Sequence, residues 1–145
     1  MKLPRRHYTY LTIFNLLAIP ITAFLIYLHF KPELSTVCSF GSKWDCDIIN
    51  KSIYSTFLGI PVAIMGLVSY LILLTYSIRG LFRDQRKLVP YATLFVAAGT
   101  LFALYLTGVE FFILKTFCLF CVMQQVIILA ELGIMIHLWT LTKKS

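Results

Sequence analysis

Four cysteines carry the chemistry that this sequence offers, and they fall in two pairs. Cys38 and Cys46 flank a polar stretch, and Cys118 and Cys121 form a Cys-Leu-Phe-Cys motif. Cys-x-x-Cys is the spacing of redox-active dithiols and of metal sites. A bridge across three positions at one helix start constrains almost nothing, so a structural disulfide is a poor account of Cys118 and Cys121. For Cys38 and Cys46 taken alone, a structural disulfide is the plainer reading, since closing so short a loop stabilises by roughly 2–3 kcal/mol in the chain-entropy treatment. Cys118 is expected at a helix N-terminus, where free N–H groups and partial positive charge favour the thiolate. Val122, not His, follows Cys121, which argues against covalent haem attachment. Four thiolates could also bind zinc, although an outward-facing site at a membrane surface would have no evident use.

The elements that must position these thiols follow from composition. Of 145 residues, 59% are apolar and 13% charged, about half the roughly 25% charged usual in soluble domains. Mean hydropathy is +0.85. A soluble domain of this length has too little interior to hide so much apolar surface. That excludes an ordinary cytosolic globule, a disordered chain and a basic nucleic-acid-binding domain. The expected fold class is all-α, an integral membrane four-helix bundle forming a single transmembrane domain over residues 1–145.

A membrane-crossing helix needs about 20 mostly apolar residues. Such runs occupy about 10–30, 56–78, 91–109 and 118–141, with an outer loop over about 31–55. The first run is too long for a signal-peptide core, and no small-x-small cleavage site follows it. Pro20 predicts a kink within it. Lys2, Arg5, Arg6, the 79–90 loop and Lys143 and Lys144 put nine of the 13 basic residues on one side. The opposite side nets to zero, with Lys31, Lys43, Lys51 and Lys115 against Glu33, Asp45, Asp47 and Glu110. The positive-inside rule therefore predicts cytoplasmic termini and all four cysteines on the outer, oxidising side. The net charge of +7 is then an orientation signal and not a nucleic-acid surface.

Two dithiols on one side of a bundle can pass electrons by thiol–disulfide exchange. A quinone in the lipid could drain the pair at the bundle mouth. Two other classes fit paired cysteines: a soft-metal permease, and a non-enzymatic membrane protein with structural disulfides. The permease would need cysteines deeper in the bilayer or on the cytoplasmic side, and the sequence supplies none there.

Taken together, Cys38, Cys46, Ser52, the stretch Phe57-Leu58-Gly59-Ile60-Pro61, and Cys118-Leu119-Phe120-Cys121 resemble the vitamin K epoxide reductase family in its bacterial branch. The resemblance covers nearly the whole chain, in helix count and in the order of the pairs. The unrelated four-helix oxidase of bacteria carries its Cys-x-x-Cys in the first outer loop, the reverse of the order here. The resemblance implies a thiol:quinone oxidoreductase of the bacterial inner (plasma) membrane. Its partner would be a separate thioredoxin-fold (DsbA-like) protein, since the chain ends at Ser145 and many bacterial members carry a fused thioredoxin-like domain. Cys38 and Cys46 would be the relay pair, Cys46 would attack Cys118, and Cys121 would face the quinone, a ubiquinone or a menaquinone of the vitamin K type. Ser52 would help position relay and quinone. A short helix around Asp45 to Lys51, with Asp45 as N-cap, would close the mouth. Asn50, Gln124 and Gln125 join Ser52 as candidate quinone contacts. Gln124 and Gln125 stand where vertebrate members carry a Thr- and Tyr-containing stretch, and reduction of vitamin K epoxide in the vertebrate manner is the alternative activity.

The remaining candidates have plainer readings. Gln124 and Glu131 share a helix face, and hydrogen bonds between helices are the expected role of both. A proton path is the functional alternative for Glu131. His7, His29 and His137 are expected at helix edges, and Trp44 at a partner or the membrane interface. The Phe111–Leu114 run is expected as an interfacial turn or helix end. Gly66, Ala98, Gly99 and Gly108 are expected to allow close helix approach.

Overall fold

A computed structural model describes residues 3–31, 33 and 41–144. Cys38 and most of the first half of the expected outer loop lie outside them. Helix α1 spans Arg5–Phe30, α2 Cys46–Lys51, α3 Val62–Phe82, α4 Val89–Val109 and α5 Leu119–Lys144. The four long helices are long and apolar enough to cross a membrane. The chain is thus an all-α, multi-pass membrane protein. Its large exposed apolar side chains, such as Leu16, Leu17, Phe82, Leu101 and Val126, point outward, as lipid solvation permits.

The second long helix begins later than its apolar run. Thr56–Phe57 and Ile60–Pro61 form a two-residue antiparallel hairpin instead, β1 and β2. Two local facts stop the helix. Leu58 and Gly59 both have positive φ, 53° and 82°, as a tight hairpin turn requires. Pro61 also disfavours the helical region for Ile60. Helix α1, by contrast, runs through Pro20 without interruption. Helix α4 starts with Pro90 in its first turn, where a missing N–H costs nothing. It then widens into a π-helical turn over Glu110–Leu114, ended by Lys115 in the left-handed conformation at φ 50°.

Helix α1 is the central post and packs chiefly on α3 and α5, while α4 packs on α5. The antiparallel α1–α5 seam is read from its ends inward. His7 stacks on His137 at 5.0 Å between ring centroids. Leu11 and Met135 share one apolar cluster, and Ala18 and Ile127 share another. Gln124 donates to Thr22 Oγ1 at 2.6 Å and to the Ala18 carbonyl at 2.9 Å. This register sets Asn15 opposite Glu131, both fully buried. The expected interhelical hydrogen bond of Glu131 does not form. Neither of its carboxyl oxygens has a partner among the described residues, and Asn15 Oδ1 has none either.

Small residues allow close approach at some of the expected positions and not at others. A Cβ on Gly66 would meet Thr22 in ordinary contact at 3.5 Å, and one on Gly99 would sit tightly at 3.3 Å from Ile128. At Gly108 the space is open, so that glycine allows no close approach. The tight position is Gly80, where a Cβ would overlap the Tyr8 ring. Gly80→Val is therefore expected to lower thermal stability in detergent, by about 1–3 kcal/mol, while Gly108→Ala leaves the melting temperature within experimental error. Glu131→Leu is expected to raise the melting temperature, because an unpartnered buried polar group costs roughly 1–3 kcal/mol; a decrease would show that Glu131 has a partner in the membrane.

Candidate active site

The site is assembled where two chain segments are bolted together. Trp44 and Phe117 form a parallel β-bridge. Asp45 N–H donates to the Phe117 carbonyl at 3.0 Å, and Phe117 N–H to the Lys43 carbonyl at 2.8 Å. The Trp44 and Phe117 rings also pack, with centroids 5.6 Å apart. Trp44 is thus engaged within the protein rather than only at a membrane or partner surface. Two residues beyond each side of the bridge a helix begins. Asp45 caps α2, its Oδ1 accepting from Asp47 N–H at 2.9 Å, a capping geometry that aspartate favours. Cys118 stands immediately before α5, and its carbonyl accepts the N–H of Val122 at 3.0 Å.

The bridge brings Cys46 and Cys118 together. Both are fully buried, and their sulfurs are 2.6 Å apart, longer than the roughly 2.05 Å of a covalent disulfide. Cys46 is disulfide-bonded, whereas Cys118 and Cys121 are free thiols. The Cys118 thiol is held below its ordinary range. The largest cause is the hydrogen bond from Cys121, with further help from the Cys121 and Phe120 backbone N–H groups, and burial opposes it. The sulfur thus occupies the place of an N-cap oxygen at the head of α5.

Cys121, one turn along α5, faces a different space. It lines a cavity of about 370 Å³ between the helices, within the usual range for small-molecule sites. The walls are mostly apolar, with Leu25, Leu73, Val96, Phe102 and Leu106 among them. The two thiols of the motif are therefore divided, Cys118 against Cys46 and Cys121 against the cavity.

The other sequence candidates take distinct places. Asn50, Ser52, Gln124 and Gln125 all line the cavity. Among the described residues, Asn50 Nδ2 and Gln125 Nε2 are buried donors without an acceptor. Gln124 differs, because its amide nitrogen is committed to α1, which leaves only its unpartnered Oε1. Ser52 Oγ donates to the Ile49 carbonyl at 2.8 Å and closes the end of α2. Its proton is used in the turn, and only its lone pairs remain for a ligand. Cys38 lies outside the described residues.

Two residues of the site were not singled out by sequence reasoning. His29 bonds through Nδ1 with the Asn50 carbonyl at 3.0 Å and lines the cavity, so it ties the end of α1 to the lid helix. Its position at a helix edge gave no signal for this. Glu110 also lines the cavity and is only 5% exposed. In sequence it looks like one more charge in an outer turn, and only the π-helical turn carries it inward.

The lowered thiol range of Cys118 has a testable sign. In a Cys38→Ser/Cys46→Ser protein, alkylation of Cys118 is expected to reach its plateau at a pH below that of an ordinary thiol. Cys121→Ala, which removes the main hydrogen bond to the thiolate, moves that midpoint upward. Mass spectrometry of the Cys118 peptide across a pH series reads both.

The model of the vitamin K epoxide reductase family matches residues 9–136, a span that includes most of α1 and α5, all of α2 to α4 and all four cysteines. The chain is a member of the vitamin K epoxide reductase family, and with it a membrane oxidoreductase.

Proposed function

We propose that the protein is a thiol:quinone oxidoreductase that drives disulfide formation. The observation that carries this reading is the division of labour within Cys-Leu-Phe-Cys. Cys118 touches Cys46, and Cys121 stands in the wall of an apolar cavity. Electrons entering at the loop pair can thus reach the cavity through two adjacent sulfurs and no longer path.

In the working cycle a thioredoxin-fold partner with a reduced dithiol hands its electrons to the Cys38/Cys46 disulfide by exchange and leaves oxidised. The Cys46 thiolate then attacks Cys118 in a Cys118–Cys121 disulfide. A Cys46–Cys118 bond forms, the Cys118–Cys121 bond breaks, and Cys121 leaves with the electron pair. Cys38 attacks Cys46, which restores the loop disulfide and frees Cys118. The Cys118/Cys121 dithiol is then reoxidised. Its two electrons, with two protons, convert the quinone to the hydroquinone. The thiolate character of Cys118 suits it to attack when the disulfide re-forms.

The quinone is the substrate of the cavity. Its ring is apolar and flat, and its two carbonyl oxygens need donors. Asn50 Nδ2 and Gln125 Nε2 are two donors with no partner among the described residues, and each buried orphan donor costs roughly 1–3 kcal/mol until it finds an acceptor. His29, through its bond to the Asn50 backbone, keeps the lid helix over this space. By the positive-inside rule, the basic residues near the N-terminus, in the 79–90 loop and at the C-terminus support a cytoplasmic side for those segments. The cysteines then face the oxidising side of a bacterial inner membrane, where a separate thioredoxin-fold protein meets Cys38 and Cys46.

The test is quinone reduction by the purified protein in detergent, with dithiothreitol or a reduced thioredoxin-fold protein as donor. Turnover is expected with a ubiquinone or a menaquinone and is abolished by Cys121→Ala. Non-reducing peptide mapping of that variant is expected to find a Cys46–Cys118 bridge. No turnover with any quinone while all four thiols remain intact would overturn the reading.

A further inference from the structure

Beside the thiols stands an acid that the electron path does not use. Glu110 closes the last turn of α4, where the chain widens into the π-helical turn. It is 5% exposed and lines the same cavity as Cys121. The Cys118 backbone and the Cys121 thiol are neighbours that act on its carboxyl group. A carboxyl group at this depth is costly in a membrane helix, and acids so placed tend to serve function. The π-helical turn is the device that turns it inward, and such single turns recur at functional sites.

Other ionisable groups nearby are accounted for. On α2, which packs against this turn, Asp47 and Lys51 pair with each other at 2.7 Å. His29, Tyr54 and Tyr70 also line the cavity. Lys115 follows the turn and is exposed. Cys121 shares the cavity wall with Glu110.

We propose that Glu110 is a catalytic residue, the acid–base group that exchanges a proton with the Cys121 thiol. The proposal rests on the thiol:quinone reading. When Cys46 displaces Cys121 from the Cys118–Cys121 disulfide, the departing Cys121 thiolate takes the proton of the Glu110 carboxylic acid. An S–H bond forms, an O–H bond breaks, and a carboxylate remains. When the dithiol is reoxidised, the Glu110 carboxylate takes the proton back as the Cys121 sulfur bonds to Cys118. Two electrons pass to the quinone. That proton goes on from Glu110 to a quinone oxygen, and the second comes from solvent, to which Cys118 had already lost its own. The carboxyl group is protonated again from solvent for the next cycle.

The experiment compares Glu110→Gln, Glu110→Asp and the unaltered full-length protein in detergent. Two half-reactions are measured separately: reduction of the Cys118–Cys121 disulfide by dithiothreitol, and its reoxidation by quinone. General acid–base catalysis is worth roughly 100-fold or more, so Glu110→Gln is expected to slow both by about 100-fold without lowering the melting temperature. Glu110→Asp is expected to restore most of the rate, and added formate a part of it. Unchanged rates in Glu110→Gln would overturn the proposal. So would a slow variant with a lowered melting temperature that neither Asp nor formate rescues, since that is the behaviour of a structural residue. If the unaltered protein reduces no quinone, the thiol:quinone reading fails, while the dithiothreitol half-reaction still decides whether Glu110 serves Cys121.

Discussion

The site depends on two backbone hydrogen bonds. They join Lys43 and Asp45 to Phe117 and fix a loop to the head of a membrane helix. Without them Cys46 and Cys118 would belong to separate parts of the chain, 72 positions apart. With them, Cys46 follows Trp44 by two positions and Cys118 follows Phe117 by one, and the two sulfurs are driven into contact. The Trp44 and Phe117 rings cover the bridge, and apolar cover strengthens hydrogen bonds by excluding water. Everything chemical about this protein starts from that junction, because exchange between thiols needs sulfur against sulfur.

A second constraint comes from the bilayer, in which no water rescues an unpaired polar group. The bundle meets it unevenly. The α1–α5 seam pairs Gln124 with Thr22 and Ala18 and fixes the vertical register of the two helices. That register sets the depth of Cys121 against α1 and so the floor of the cavity. Farther along the seam, Asn15 Oδ1 and both Glu131 oxygens are left without partners. Toward the cavity, Asn50 and Gln125 keep free donors. Unpaired groups deep in the seam cost stability, whereas those in the cavity wall can be satisfied by a ligand carbonyl. The same physical deficit therefore reads differently at the two depths.

The two helix pairs that frame the cavity are held by different means. Helices α1 and α3 come close where Gly80 leaves room for the Tyr8 ring, and Thr12 donates to Ser77 at 3.1 Å nearby. Helices α4 and α5 meet through Ile128 against Gly99 and through Thr93, which donates to the Met135 carbonyl at 3.3 Å. Close approach at these points leaves wider space between them, and the space opens next to Cys121.

The sequence by itself determined the class of the molecule. Four apolar runs of spanning length need no tertiary information, because the bilayer imposes length and hydropathy locally. The Cys-x-x-Cys spacing, the Asp45 cap and the family resemblance were legible for the same reason, since each is written in neighbouring residues. The start of α3 was misread because the apolar run continues through a hairpin that Gly59 and Pro61 impose. What only the tertiary structure decided is which way side chains face. Gln124 and Gln125 are adjacent and alike in chemistry, yet one nitrogen is spent on α1 and the other is left in the cavity wall. Glu110 could be counted as a surface charge until a π-helical turn rotated it inward, and His29 as an edge residue until Asn50 arrived from the lid. Those assignments depend on which helix comes to lie alongside which, at what register, and a single chain segment does not contain that information.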